Sequence, residues 1–502
     1  MSEFLSVPVE LLIAVVHSLT DHLTVHFEAR PTEDTLTTQI CDDFKHHDPE
    51  DTISQEFDYP QNCTDRDSWK HHRPPMKVSL KTSAWLSACI TVCGGVVGIG
   101  ALFLLYYLIS VIYDREWIKL KDPTFPEKLR RRRIIGESYQ SFFLYFWQPA
   151  LLLMVFKWPI LKEVNLMTVT LAGASIDLGY RCFLAVYDLY YPPWIPYPMN
   201  FLYLAVILIS NISISRNIFK TNPFGALSLT IKLSMQFISG ALVLFISQYI
   251  IFPWFAHKEG FIKIAILALA FLMAILPAVV SRQCVVRLNG VNHPGTSYVL
   301  ISAASTGFSI VYRFVQAEFE SLLAFIAMSI AHGLIHFFFE LITILKESYS
   351  KKIHNQKIPY SESRGRSNTA YLRASRSQRL AADMAIHEMM SNEAAIVLSV
   401  GIIQIYGFIH ENLSIEKYEE VFRELVARIF SALFIEFLFN ILSVMILTRK
   451  RNVPVVRVWN FKWKSHLIVC IITVIMIIMY ITGKVLVIIR ARYVAEGKIV
   501  TE

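Results

Sequence analysis

Ten apolar runs, most of them about long enough to cross a bilayer, alternate with short polar links along the chain. A chain built this way can satisfy its backbone in lipid only as a bundle of helices. The runs fall at about 85–113, 141–190, 199–214, 225–252, 261–280, 297–315, 320–345, 393–410, 426–447 and 466–489. The expected fold is therefore all-α: a polytopic integral membrane helical bundle of about ten transmembrane helices. Composition agrees. The 502 residues are 54% hydrophobic, above the roughly 45–50% of ordinary soluble chains, and mean hydropathy is +0.44.

Charge is unevenly spread. Residues 1–80 form a polar tail with 15 acidic against 6 basic residues, whereas the rest of the chain is strongly basic. The positive charge clusters between apolar runs, at 114–140, 215–224, 281–295, 346–392 and 449–464. This is the signature of membrane topology, not of nucleic-acid binding. It places those links in the cytosol and the tail outside, so both chain ends are expected on the extracytoplasmic side, in the plasma membrane or an endomembrane. The basic links also suit contact with anionic lipid. Residues 346–392 read as a basic cytosolic loop, between a first bundle part at 81–345 and three last helices at 393–502.

In the tail, Asn62-Cys63-Thr64 is a glycosylation sequon, and Asn412-Leu413-Ser414 is another on an expected outer link. Cys41 and Cys63 are the tail's only cysteines and would pair in an oxidising compartment.

The first run contains Gly94 and Gly98 in GxxxG spacing, a face that another helix can approach closely. Residues 141–190 are interrupted by Pro149 and Pro159 and carry Asp177 and Arg181 at i,i+4. They read as one broken or partly re-entrant span with an intramembrane ion pair, structural or beside a binding site. Arg313 lies near the end of its run and is expected to reach the interface.

The richest run is 320–345, which carries His332, His336 and Glu340 at i, i+4 and i+8, within about 80° of one another on a helix. Ionisable groups at membrane depth are costly, roughly 2.5–3.5 kcal/mol each for Asp, Lys and Arg, so the cluster marks a functional site. Glu436 is the deepest acid without an obvious partner on its own helix and is the expected acidic member of an ion or proton pathway. His332 and His336 are one turn apart and could share a metal, but Glu340 is about 12 Å from His332 along the axis, so no ligand set is complete on this helix.

Nucleotide-binding and hydrolase motifs are absent, and no cofactor is implied. Three functions remain open: a transporter or channel coupled to ions or protons, a chemosensory or signalling receptor, and a metal-dependent intramembrane enzyme acting on lipid. Implied partners are the bilayer and an unknown small ligand or ion, with homo-oligomerisation left open.

Overall fold

In the computed structural model, the described residues are 75–112, 127–156, 158–187, 197–251, 294–319, 321–338, 363–410, 415–451 and 453–495, with isolated positions between 254 and 288. They are helical, with no strand. In chain order the helices are α1 (Met76–Ile112), α2 (Glu127–Val155), α3 (Trp158–Glu163), α4 (Leu166–Val186), α5 (Tyr197–Ile218), α6 (Pro223–Ile246), α7 (Pro294–Ala317), α8 (Leu322–Phe338), α9 (Ser363–His410), α10 (Ile415–Lys450) and α11 (Val455–Ala495).

Among the described residues, seven helices are long and apolar enough to cross a membrane: α1, α5, α6, α7, α9, α10 and α11. α8 is apolar but shorter. The expected run at 261–280 falls almost wholly outside the described residues.

The stretch 141–190 is not one broken span. α2 continues through Pro149, and Pro159 sits in the first turn of α3, where its missing N–H is an orphan donor anyway. Asn165 then adopts the left-handed conformation (φ 53°) that Asn tolerates better than most residues, and α4 starts. α2 and α4 form an antiparallel hairpin: Ser141 meets Asp177 and Arg181, while Tyr145, one turn on, meets Gly173.

Residues 378–392 are likewise not part of a loop. They belong to α9, and Leu380 to Met390 are almost entirely buried. Arg379 and Asp383 lower the apolarity of this stretch in the sequence, but they pair with each other at i,i+4.

α7 and α9 form the centre; 89% and 94% of their most apolar windows are buried. α1 lies against α9 where the expected glycine face allows it. A Cβ on Gly94 would come within 2.6 Å of the Glu393 Cβ, and one on Gly98 within 2.7 Å of the Ala394 carbonyl. α7 and α8 make a tight hairpin. The buried Arg428 of α10 donates to the Phe319 carbonyl (2.7 Å) and the Ala317 carbonyl (3.4 Å), placing a cation where the end of α7 is negative. Gln148, Asn211 and Ser234 form a buried hydrogen-bond ladder across α2, α5 and α6.

Paired residues fix helix direction. Thr91, Gly94 and Gly98 of α1 meet Glu393, Met390 and Ala394 of α9, and Leu102 meets Gly401, so the two helices run parallel. Asp383 of α9 meets His466 of α11, and Ser391 lies one turn or more further along with Cys470, so α9 and α11 are parallel too. α6 and α7 share this direction, through Gly240 with Ala303 and Leu244 with Gly307. α8 and α10 run the opposite way. Parallel helices crossing one membrane start on the same side. The first and last candidate spans, α1 and α11, therefore run in the same direction, whereas ten crossings would set them antiparallel.

Candidate functional site

The centre of the bundle holds two groups of buried polar side chains, joined along α9. The first contains part of the expected site. Arg313 of α7 and Glu436 of α10 form an ion pair, each almost completely buried. His332 of α8 places Nδ1 3.0 Å from both the Arg313 guanidinium and the Glu436 carboxylate. A single ring nitrogen cannot accept from one and donate to the other at once, so these are alternative hydrogen bonds. Arg313 also donates to Gln316 (2.7 Å), whose amide donates to the Ser329 hydroxyl (2.5 Å) and the Phe325 carbonyl (2.9 Å). His336 is half-buried, its ring 4.9 Å from that of His332.

Two expectations are corrected here. Arg313 does not reach the interface but points into the core, because Glu436 is there to receive it. Glu436 is accordingly not an unpaired acid. Glu340 lies outside the described residues, as do Asn62, Asn412, Cys41 and Cys63, so the trio on α8 is represented by its two histidines.

The second group was not singled out in the sequence. Asp383 of α9 accepts from Arg379 (2.9 Å) on its own helix and lies 3.1 Å from His466 Nε2 of α11. The Tyr298 ring of α7 packs on His466 at 4.5 Å and faces His387 at 6.0 Å. His387 Nε2 lies 3.1 Å from the Thr306 hydroxyl and 3.2 Å from that of Ser391, and Thr306 reaches Thr473 of α11 at 3.4 Å. Asp383, His387, Ser391, His466 and Thr473 are all sealed from solvent. The signal that could have found them is the row Arg379, Asp383, His387, Ser391, spaced by four on one helix face.

Glu393 lies between the groups. It accepts from the Thr91 hydroxyl of α1 and the Asn440 amide of α10, each at 3.0 Å. From Arg379 to Glu393 is 14 residues of helix, about 21 Å, so polar groups line much of a bilayer's depth.

Asp177 and Arg181 lie 3.2 Å apart as an ion pair along α4. Ser141 completes it by donating to Asp177 and accepting from Arg181 (2.9 Å). The pair ties α2 to α4.

Among the described residues, no group of three or more His, Cys, Asp or Glu side chains is arranged to hold a metal ion. Comparison with family models, curated proteins and solved structures finds no match.

Proposed function

We propose that this chain is a multi-pass membrane transporter or channel coupled to ions or protons. The carrying observation is the buried polar column along α9, running from Arg379, Asp383 and His466 through His387, Thr306 and Ser391 to Glu393, Glu436, Arg313 and His332. A bundle that needed only stability would do as well or better with apolar packing at these positions, since buried ion pairs seldom add net stability. Intramembrane acids, bases and histidines facing a bundle interior are the ingredients of ion and proton paths. His332 and His336 belong to this reading as the two imidazoles of α8 beside the Arg313–Glu436 pair.

The column is tested by reconstituting the purified chain in liposomes with a pH-sensitive dye inside. Under an imposed proton or cation gradient, flux above that of empty liposomes is expected. His332→Ala and Asp383→Asn should slow it while the proteins still elute as folded particles. A folded parent that passes neither protons nor cations under any gradient would overturn the reading and favour a receptor.

We further propose that the side from which α1, α7, α9 and α11 start is cytosolic. The basic links 281–295, 346–392 and 449–464 would then follow the positive-inside rule. The Arg130–Arg133 cluster is the exception. On this reading the acidic tail is cytosolic, Asn62 is unmodified, Cys41 and Cys63 stay reduced, and Asn412 is exposed to glycosylation. Glycan at Asn62 would reverse it. Contact of the basic links with anionic lipid follows from the same placement.

A further inference from the structure

Two carboxylates, Glu393 and Glu436, approach one guanidinium, that of Arg313, in a core sealed from solvent. One guanidinium neutralises one of them. Glu436 takes it, holding an ion pair with Arg313 and a hydrogen-bond contact with His332. Glu393 is left with neutral partners. Both of its donors, the Thr91 hydroxyl and the Asn440 amide, converge on Oε1, and Oε2 is buried with no hydrogen-bond partner.

The surroundings on every side bear on its charge. α10 contributes Glu436 and Asn440, α7 contributes Arg313, α1 contributes Thr91 and the half-buried Cys93, and α11 contributes the buried Cys470 to the same core. His332 and His336 of α8 stand beyond Glu436. With both carboxylates ionised, this core would hold two negative charges against one positive, which costs far more than neutralising one of them. A bound metal cation would need several oxygen ligands. Asn440 instead turns its N–H toward the carboxylate, and Oε2 has no second ligand beside it.

We propose that Glu393, not Glu436, is the proton-carrying carboxylate of the pathway, with the proton on Oε2 in the resting protein. This rests on the transport reading above. Release breaks the Oε2–H bond and leaves the electron pair on the carboxylate. The new negative charge is met by the two donors at Oε1 and by the field of Arg313, while the proton passes to water entering the column. The glycine contact holds the carboxyl in place: with no side chain on Gly94, the Glu393 Cβ lies against the α1 backbone and its head group is fixed between α1 and α10.

Infrared difference spectroscopy of the full-length protein in liposomes, alkaline minus acid, reads the carboxyl group directly. The parent should lose a protonated-carboxyl C=O band as pH rises. Glu393→Gln keeps the shape and the Oε1 acceptor and should abolish the band. The doubly neutral variant Arg313→Gln/Glu436→Gln, which removes charge without stranding a partner, should keep it. A band that survives in Glu393→Gln, or a parent without one, would overturn the assignment. The same liposomes separate this from the transport reading: a Glu393 band in a protein that passes no protons would sink transport alone, and proton flux undiminished in Glu393→Gln would sink the assignment alone.

Discussion

α9 and α1 face each other along much of their length, yet they solve opposite problems. The best apolar window of α9 is 94% buried; that of α1 is 39% buried, and Val92, Ile99 and Phe103 lie on its open side. α1 is among the most apolar helices of the chain and α9 among the least. A helix that meets lipid must be apolar around most of its circumference. A helix enclosed by other helices can carry Asp383, His387 and Glu393, because its neighbours supply the hydrogen bonds that lipid cannot. Low hydropathy thus marks the centre of the bundle, where the chemistry lies, and high hydropathy marks its rim.

The largest expected effect tests that contrast at Arg313. Arg313→Gln strands Glu436 as a buried charge, and a loss of about 3–5 kcal/mol is expected. Adding Glu436→Gln should restore most of it, since the pair then disappears as a unit. Reversible unfolding in detergent with increasing denaturant, read by tryptophan fluorescence, checks both. A single variant as stable as the parent would mean that water reaches the pair and that the centre is not dry.

This contrast also explains what the sequence showed and what it hid. The helical membrane class was plain, because apolar runs dominate it. His332 and Glu436 stood out because each interrupts a strongly apolar run. Asp383 and His387 did not, since their helix is polar enough there to read as the end of a basic loop. Arg313 was misplaced for a related reason: a cation near the end of an apolar run reads as interfacial unless its partner, 123 residues further on, is known. The α2–α4 hairpin was hidden by prolines whose meaning depends on position. Pro149 in mid-helix and Pro159 in a first turn look alike in the sequence.

Arg181→Gln probes the same physics nearer the rim. Asp177 is 1% exposed, but the Arg181 side chain is 19% exposed and the Ser141 hydroxyl still donates to the carboxylate. The loss should be smaller, about 1.5–3 kcal/mol, the range for hydrogen bonds to charged groups. The same unfolding measurement checks it. A loss equal to that of Arg313→Gln would erase the distinction between centre and rim.

A third comparison uses glycines one residue apart. A Cβ at Gly94 would meet the Glu393 Cβ and the Met390 carbonyl, both closer than 3.0 Å, whereas one at Gly95 meets nothing within 4 Å. Gly94→Ala must push α1 off α9 and should cost about 1–3 kcal/mol. Gly95→Ala should be neutral or stabilising by up to about 1 kcal/mol, through helix propensity alone. Similar costs at both positions would show that α1 does not dock through this face.

The smallest effect is expected at the surface, where Glu163, the last residue of α3, meets the end of α5. Its carboxylate accepts from Asn217 (3.0 Å) and from Lys220 (3.1 Å), and the side chains of Glu163 and Lys220 are 52% and 61% exposed. These hydrogen bonds, that of Asn217 foremost, hold the Glu163 carboxyl below its ordinary value of 4.5. A carboxyl whose value is lower in the folded state stabilises the fold fully above the unfolded-state value, and that contribution is lost as pH falls through the folded-state value. Glu163→Gln should therefore lower stability by about 0.2–1 kcal/mol at neutral pH, the scale of an exposed pair, and the difference should shrink with added salt. Below the ordinary carboxylate range, parent and variant should converge. Unfolding midpoints of the two proteins, followed from neutral to acid pH, test the sign as well as the size. A gap that widens on acidification would mean that the group is destabilised in the fold. A gap as large as that of Arg313→Gln would place Glu163 in the same dry surroundings as Glu436, against its exposure.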